Sequence, residues 1–178
     1  TEDREVALLR PQSTHHSHFN RYSPLVTENA VERWKRALRL GRVHLMGSSY
    51  GGALVLATAL RHPQGLRSLI VSSGLASTPL TVREMWRLID QLPPEVRATI
   101  RKYNDLGDFR DPAYLKAVDV FYRKHVCRLP VWPHELVQTL DRMGIVYETM
   151  NGPNEFTITG RIRDWDVTDR LRRIRIPT

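Results

Sequence analysis

Two short apolar runs frame the most regular part of the chain. Val43-His44-Leu45-Met46 has the length of a buried strand, and Leu69-Ile70-Val71, ending at Ser72-Ser73-Gly74, has the same character. Between them Ala53-Leu54-Val55-Leu56-Ala57-Thr58-Ala59-Leu60 predicts a buried helix. Strand, tight turn, helix and strand in that order is the pattern of a parallel sheet. Upstream, Thr27-Glu28-Asn29-Ala30 starts a helix carrying Val31, Trp34, Ala37 and Leu38, and Gly41 is the expected C-terminal cap. The first twenty residues carry no such periodicity and read as a polar leader.

After Gly74 the apolar spacing becomes helical and stays so. Thr81-Val82-Arg83-Glu84 starts a helix with Met85, Trp86, Leu88 and Ile89 on one face, stopped by Pro93-Pro94. Pro94 to Tyr103 predicts a second. Asp111-Pro112 opens a third that carries Tyr114, Leu115, Val118, Phe121 and Tyr122, and Trp132-Pro133-His134-Glu135 a fourth with Leu136, Val137 and Leu140. Gly152-Pro153-Asn154 breaks the run. Phe156 to Thr159 then reads as extended, Thr168 to Arg173 as a short helix, and Ile174 onward as the approach to another strand. Several helices inserted after a sheet strand suggest a cap over a site.

Composition narrows the class. With 178 residues, 41% of them hydrophobic, one ordinary domain with a core is expected. No apolar run has the length of a membrane span and no secretory signal pattern is seen, so no membrane partner is expected. A single cysteine, Cys127, allows no internal disulfide and suits a reducing compartment, which makes the cytoplasm the expected location. The net charge of +8 comes mostly from arginines scattered through helical patterns, thickening between Arg161 and Arg175. Without a nucleic-acid motif this is a solvated surface, and no nucleic-acid partner is expected. His15, His16 and His18 lie close together, but no second ligand cluster follows; neither a metal nor a cofactor is expected.

The candidate chemistry sits in the turn between the first strand and its helix. Gly47-Ser48-Ser49-Tyr50-Gly51 fits the Gly-x-Ser-x-Gly nucleophile elbow, in the strand–turn–helix context that the motif requires. Ser49 is the central residue and candidate nucleophile; Ser48 is off register. The flanking glycines, Gly47 and Gly51, are expected where strand and helix pass closely. The backbone N–H of Tyr50, at the helix N-terminus, is a candidate oxyanion donor.

Three segments together resemble the proline iminopeptidases, serine aminopeptidases of the α/β-hydrolase fold, and most closely their tricorn-interacting branch. They are Gly47-Ser48-Ser49-Tyr50-Gly51-Gly52-Ala53-Leu54, Leu75-Ala76-Ser77-Thr78-Pro79-Leu80-Thr81-Val82, and above all Met150-Asn151-Gly152-Pro153-Asn154-Glu155-Phe156-Thr157-Ile158-Thr159-Gly160. Asp164-Trp165-Asp166-Val167-Thr168 continues the likeness. The resemblance implies an α/β fold: a partial hydrolase core with a parallel sheet and a helical cap, the chain looking truncated at both ends. It divides the chain into a leader at 1–26, core at 27–75, cap at 76–160 and a return to the core at 161–178. It implies release of an N-terminal residue, proline preferred, from short peptides through an acyl-enzyme on Ser49, with Glu155 receiving the substrate's α-amino group. A carboxylate suits that role because it binds an ammonium by charge-assisted hydrogen bonds. Docking to a larger protease complex is a further implication.

One departure stands out. Hydrolases of this fold order their triad as serine, carboxylate, histidine, yet the histidines after Ser49 are His62, His125 and His134, all ahead of Asp164, Asp166 and Asp169. The resemblance places the triad acid and histidine beyond this chain. Two other readings follow: a different α/β-hydrolase such as an esterase, or a catalytically inactive fragment of the family. Trp132, Tyr122, Phe121 and Trp165 could wall a proline pocket, but aromatic residues at helical spacing more often form core, and no role is assigned to them here.

Overall fold

The computed structural model describes residues 24–178. The triple-histidine run and nearly all of the leader lie outside the described residues. Contacts divide the chain into two compact units, one comprising Pro79–Arg163 and the other the residues up to Thr78 together with Asp164–Thr178.

The first unit is built on a parallel pair of strands. β1 (Val43–Ser48) and β2 (Leu66–Ser72) pair with Leu45 opposite Leu69 and Ser48 opposite Ser72, and α2 (Tyr50–Arg61) connects them. Both strands are longer than the apolar runs suggested, because pairing carries β1 on to Ser48 and begins β2 at Leu66. Alternation places Leu45 of β1 and Leu69 of β2 in a core completed by Val55 and Ala59 of α2 and Val31 of α1 (Pro24–Ala37). A register shift between Val43 and His44 brings Leu66, three residues before Leu69, into the same core. Side chains on the other face, such as Met46 and Ile70, are exposed.

Two expectations at the ends of this unit need correction. α1 stops at Ala37, well before Gly41. The Leu40 amide donates to the Lys35 carbonyl (2.8 Å) and the Arg39 amide to the Arg36 carbonyl (3.1 Å), with Arg39 at φ 55°. That is a Schellman ending with arginine in the position glycine usually takes. Ile174 onward forms no strand: the Leu69 amide donates to the Pro177 carbonyl (2.9 Å), and Ile174 and Ile176 pack against the core. Proline has no N–H with which to continue a ladder.

The second unit is helical. α3 (Thr78–Ile89), α4 (Pro94–Leu106), α5 (Pro112–His125) and α6 (His134–Asp141) fall where the periodicity put helices. α3 starts a turn earlier than Thr81, and α4 runs past Tyr103 until Gly107 ends it at φ 69°. Asp111 caps α5, its carboxylate accepting from the Ala113 amide (2.7 Å) ahead of a proline in the first turn. A further short helix, α7 (Ile145–Met150), has too few residues to show a period. Ile89, Leu92, Ile100, Tyr114, Phe121 and Phe156 form the centre of the core.

The extended segment expected at Phe156–Thr159 is not a strand. The amides of Phe156 and Thr157 both donate to Asn154 Oδ1 (3.1 and 2.9 Å), leaving a single isolated bridge between Asn154 and Thr157. A side chain has captured donors that a ladder would use.

Candidate functional site

Ser49 stands between the last residue of β1 and the first of α2, at φ 54° and ψ −122°. Side chains rarely adopt such a backbone, which costs on the order of 1–3 kcal/mol and persists only where the surroundings enforce it. Here the Ser49 amide donates to the Ser72 carbonyl at the end of β2 (3.1 Å), while its own carbonyl accepts from the Gly52 amide (2.9 Å). Its side chain makes no capping hydrogen bond and is exposed. The turn thus presents a hydroxyl outward at the N-terminus of a helix, in the geometry a nucleophile elbow requires. Tyr50 opens α2 and places its amide in the first turn, where helix N–H groups carry the positive end of the dipole.

Close approach explains the glycines, though not as the pentapeptide suggested. A Cβ on Gly47 would lie 2.1 Å from the Gly51 carbonyl oxygen, and one on Gly52 would lie 2.6 Å from the Gly74 Cα. Gly51 itself has nothing within 4 Å of such an atom. Gly47 and Gly52 are therefore the steric requirements, and Gly51 is not.

Glu155 is held in the helical unit. The Tyr122 hydroxyl of α5 donates to its Oε2 in a short hydrogen bond, and the Tyr147 hydroxyl of α7 donates to its Oε1 (3.0 Å). Asn151 Nδ2 donates to the Tyr147 oxygen (3.0 Å) and to the Asn154 carbonyl (2.8 Å). On either side of Glu155 the chain is anchored. Asn154 is 3% exposed and donates to the Tyr114 hydroxyl (2.7 Å), and Phe156 is fully buried edge-to-face against Trp86 and Phe121. Burial first, and then the Glu155 charge, push the phenols of Tyr122 and Tyr147 well above the ordinary tyrosine range. Both remain hydrogen-bond donors to the carboxylate.

No histidine of the described chain is assigned to Ser49. His62 caps the far end of α2, and the twelve residues of that helix separate it from Ser49 by about 18 Å. His125 packs on the Phe121 ring (5.0 Å between centroids), and burial lowers its pKa, with Lys124 and Arg128 adding to the shift. His134 contacts Gln138 (2.8 Å). Of the four aromatic residues left without a role, Phe121 and Trp165 are core. Trp132 donates to the Cys127 carbonyl (3.1 Å) under the Arg123 guanidinium. Tyr122 is different: it reaches Glu155. The partners Tyr147 and Asn151 were missed in the sequence, although Asn151 four residues after Tyr147 is the spacing of one helix face. Among the described residues no group of three or more histidine, cysteine or acidic side chains could hold a metal ion, and no helix is long and apolar enough to cross a membrane.

A family model described as the alpha/beta hydrolase fold matches residues 10–156, and the chain belongs to that family. The relatives are more specific. The proline iminopeptidase of Thermoplasma volcanium is 55% identical over 139 residues, 77% of this chain and 47% of its own length. That of Saccharolobus solfataricus is 50% identical over 153 residues, 85% of this chain and 49% of its own. Among solved structures, VinJ superposes with a TM-score of 0.82 at 38% identity, covering 88% of this chain and 54% of its own. The proline iminopeptidase of Mycobacterium smegmatis gives 0.77 at 37% identity, over 87% of this chain and 53% of that one. The chain spans about half the length of the curated relatives that it matches.

Proposed function

We propose that this chain carries the nucleophile and the amine-receiving carboxylate of a serine aminopeptidase that releases an N-terminal residue, proline preferred, from short peptides. The observation that carries the reading is Ser49 held at φ 54° and ψ −122° between β1 and α2. Its hydroxyl attacks the first peptide carbonyl and loses its proton to a general base, which passes that proton to the amine nitrogen as the C–N bond breaks; the shortened peptide leaves, and water hydrolyses the acyl-enzyme. The Tyr50 amide supplies one oxyanion donor.

Glu155 selects among serine hydrolases. An exopeptidase must recognise a free ammonium, and a carboxylate clamped by two phenols in a half-buried setting does so by charge-assisted hydrogen bonds. An esterase has no need of it. The names of the relatives support the same choice. The likeness to the tricorn-interacting branch also supports docking to a larger protease, and the single cysteine a cytoplasmic location.

The test is hydrolysis of proline 4-nitroanilide by the purified chain, with imidazole added as the general base that no described histidine supplies to Ser49, beside Ser49→Ala. Release of nitroaniline that disappears in the variant is the expected result. Release that survives Ser49→Ala, or a folded chain that hydrolyses nothing, overturns the assignment for this polypeptide.

A further inference from the structure

We propose that Tyr122 is a positioning residue for Glu155, acting with Tyr147 so that the carboxylate meets an incoming α-ammonium in one fixed orientation. The inference rests on the reading of Glu155 as the amine receptor and adds to it how that receptor is set.

A carboxylate offers two oxygens and about four lone-pair sites. Tyr122 takes one site on Oε2 and Tyr147 one on Oε1. The donors come from different helices, α5 and α7, so rotation of the carboxylate breaks at least one bond. One acceptor site remains on each oxygen. The secondary ammonium of an N-terminal proline has two N–H donors, and the pair of remaining sites accepts both.

The direction of each phenol proton is also determined. The Tyr147 oxygen already accepts from Asn151 Nδ2 (3.0 Å), which turns its own proton toward Glu155. Asn151 is tied in turn to the Asn154 carbonyl (2.8 Å), immediately before Glu155, which closes the ring of bonds. Tyr122 stays protonated because burial, and then the Glu155 charge, disfavour its phenolate. A buried phenol serving only as core needs an acceptor, but a neutral carbonyl suffices; here the acceptor is a carboxylate.

The experiment measures binding of L-prolinamide to the full chain by NMR titration, for wild type, Tyr122→Phe, Glu155→Gln and the double variant. Tyr122→Phe keeps the ring, and its melting temperature is checked beside wild type. The expected loss is about tenfold in affinity, the scale of one hydrogen bond to a charged group. The double variant binds no worse than Glu155→Gln, because Tyr122 acts through that carboxylate. The slowly exchanging Tyr122 hydroxyl proton disappears in Tyr122→Phe and moves in Glu155→Gln. Loss of affinity in Glu155→Gln with none in Tyr122→Phe overturns the positioning role alone. Affinity unchanged in Glu155→Gln, or no binding by wild type, overturns the reading of Glu155 and the inference with it.

Discussion

The Ser77 hydroxyl donates to Asp166 Oδ2 at 2.7 Å, joining residues 89 positions apart. Around that contact the chain leaving the parallel unit meets the chain returning to it. The Thr78 amide donates to the Trp165 carbonyl (2.7 Å), the Val167 amide to the Ala76 carbonyl (2.8 Å), and the Trp165 indole to the Leu75 carbonyl (3.2 Å). The resemblance had marked both segments, but as family signatures and not as partners.

The same carboxylate makes the join sensitive to acid. The Thr168 hydroxyl, then Ser77 and the Thr168 amide, hold Asp166 below its ordinary value of 3.8. A lowered carboxylate binds protons more readily when unfolded. Its stabilisation is therefore fully present above the ordinary value and is lost as pH falls through the lower, folded one. Melting temperatures from neutral pH downward are expected to separate wild type from Asp166→Asn, with the gap closing only below that value. A gap independent of pH counts against the ionised carboxylate.

Gly52→Ala places a methyl group 2.6 Å from the Gly74 Cα, a backbone atom that cannot swing aside. Overpacking of this kind costs about 1–3 kcal/mol. Gly51→Ala meets nothing within 4 Å and sits in a helix, where alanine is favoured by up to about 1 kcal/mol. Urea unfolding should thus show one glycine of the pair intolerant and its neighbour neutral or improved. Equal effects would remove the steric account.

Ser49 pays for its presentation with a backbone that glycine adopts freely. Ser49→Gly is expected to abolish hydrolysis and to stabilise the chain by about 1 kcal/mol, by releasing strain. Ser49→Ala abolishes hydrolysis without that gain. Denaturation midpoints of the two variants decide the matter, and a Gly variant no more stable than the Ala variant contradicts stored strain.

Three of the six tyrosines sit in the network around Glu155. Burial pushes Tyr114 up to about 12, and burial with the Glu155 charge raises Tyr122 and Tyr147 further. A raised phenol contributes stability that is fully present below the ordinary value of 10.0 and is lost as pH rises through the folded one. Alkaline titration followed by tyrosinate absorbance should therefore leave these three silent until circular dichroism shows helices melting. A single transition of all the tyrosines near the ordinary value, with helices intact, would contradict their burial.

The strand–turn–helix around Ser49 was legible because its determinants are local: an apolar run, a helical run, and small residues between them. The helices of the second unit were legible through their apolar spacing, with prolines near the starts of α4 and α5. Gly41 misled because a glycine near a helix end is the usual stop, whereas Arg39 accepts the left-handed conformation that the Leu40 and Arg39 amides reward. Phe156–Thr159 misled because β-branched residues favour strands, yet Asn154 took their amides.

By itself the sequence determined the strand, turn and helix around Ser49 and the helical insertion, and the resemblance singled out Glu155, since each is written in consecutive residues. Only the tertiary structure decided what Glu155 touches. Tyr122 lies 33 positions away on α5, and no period along one helix points across to another element. It also decided which glycines matter: Gly51 and Gly52 are adjacent in sequence, and only packing of the second against Gly74 tells them apart. Contacts between distant segments depend on where the core draws each helix, and that is a property of the packed chain.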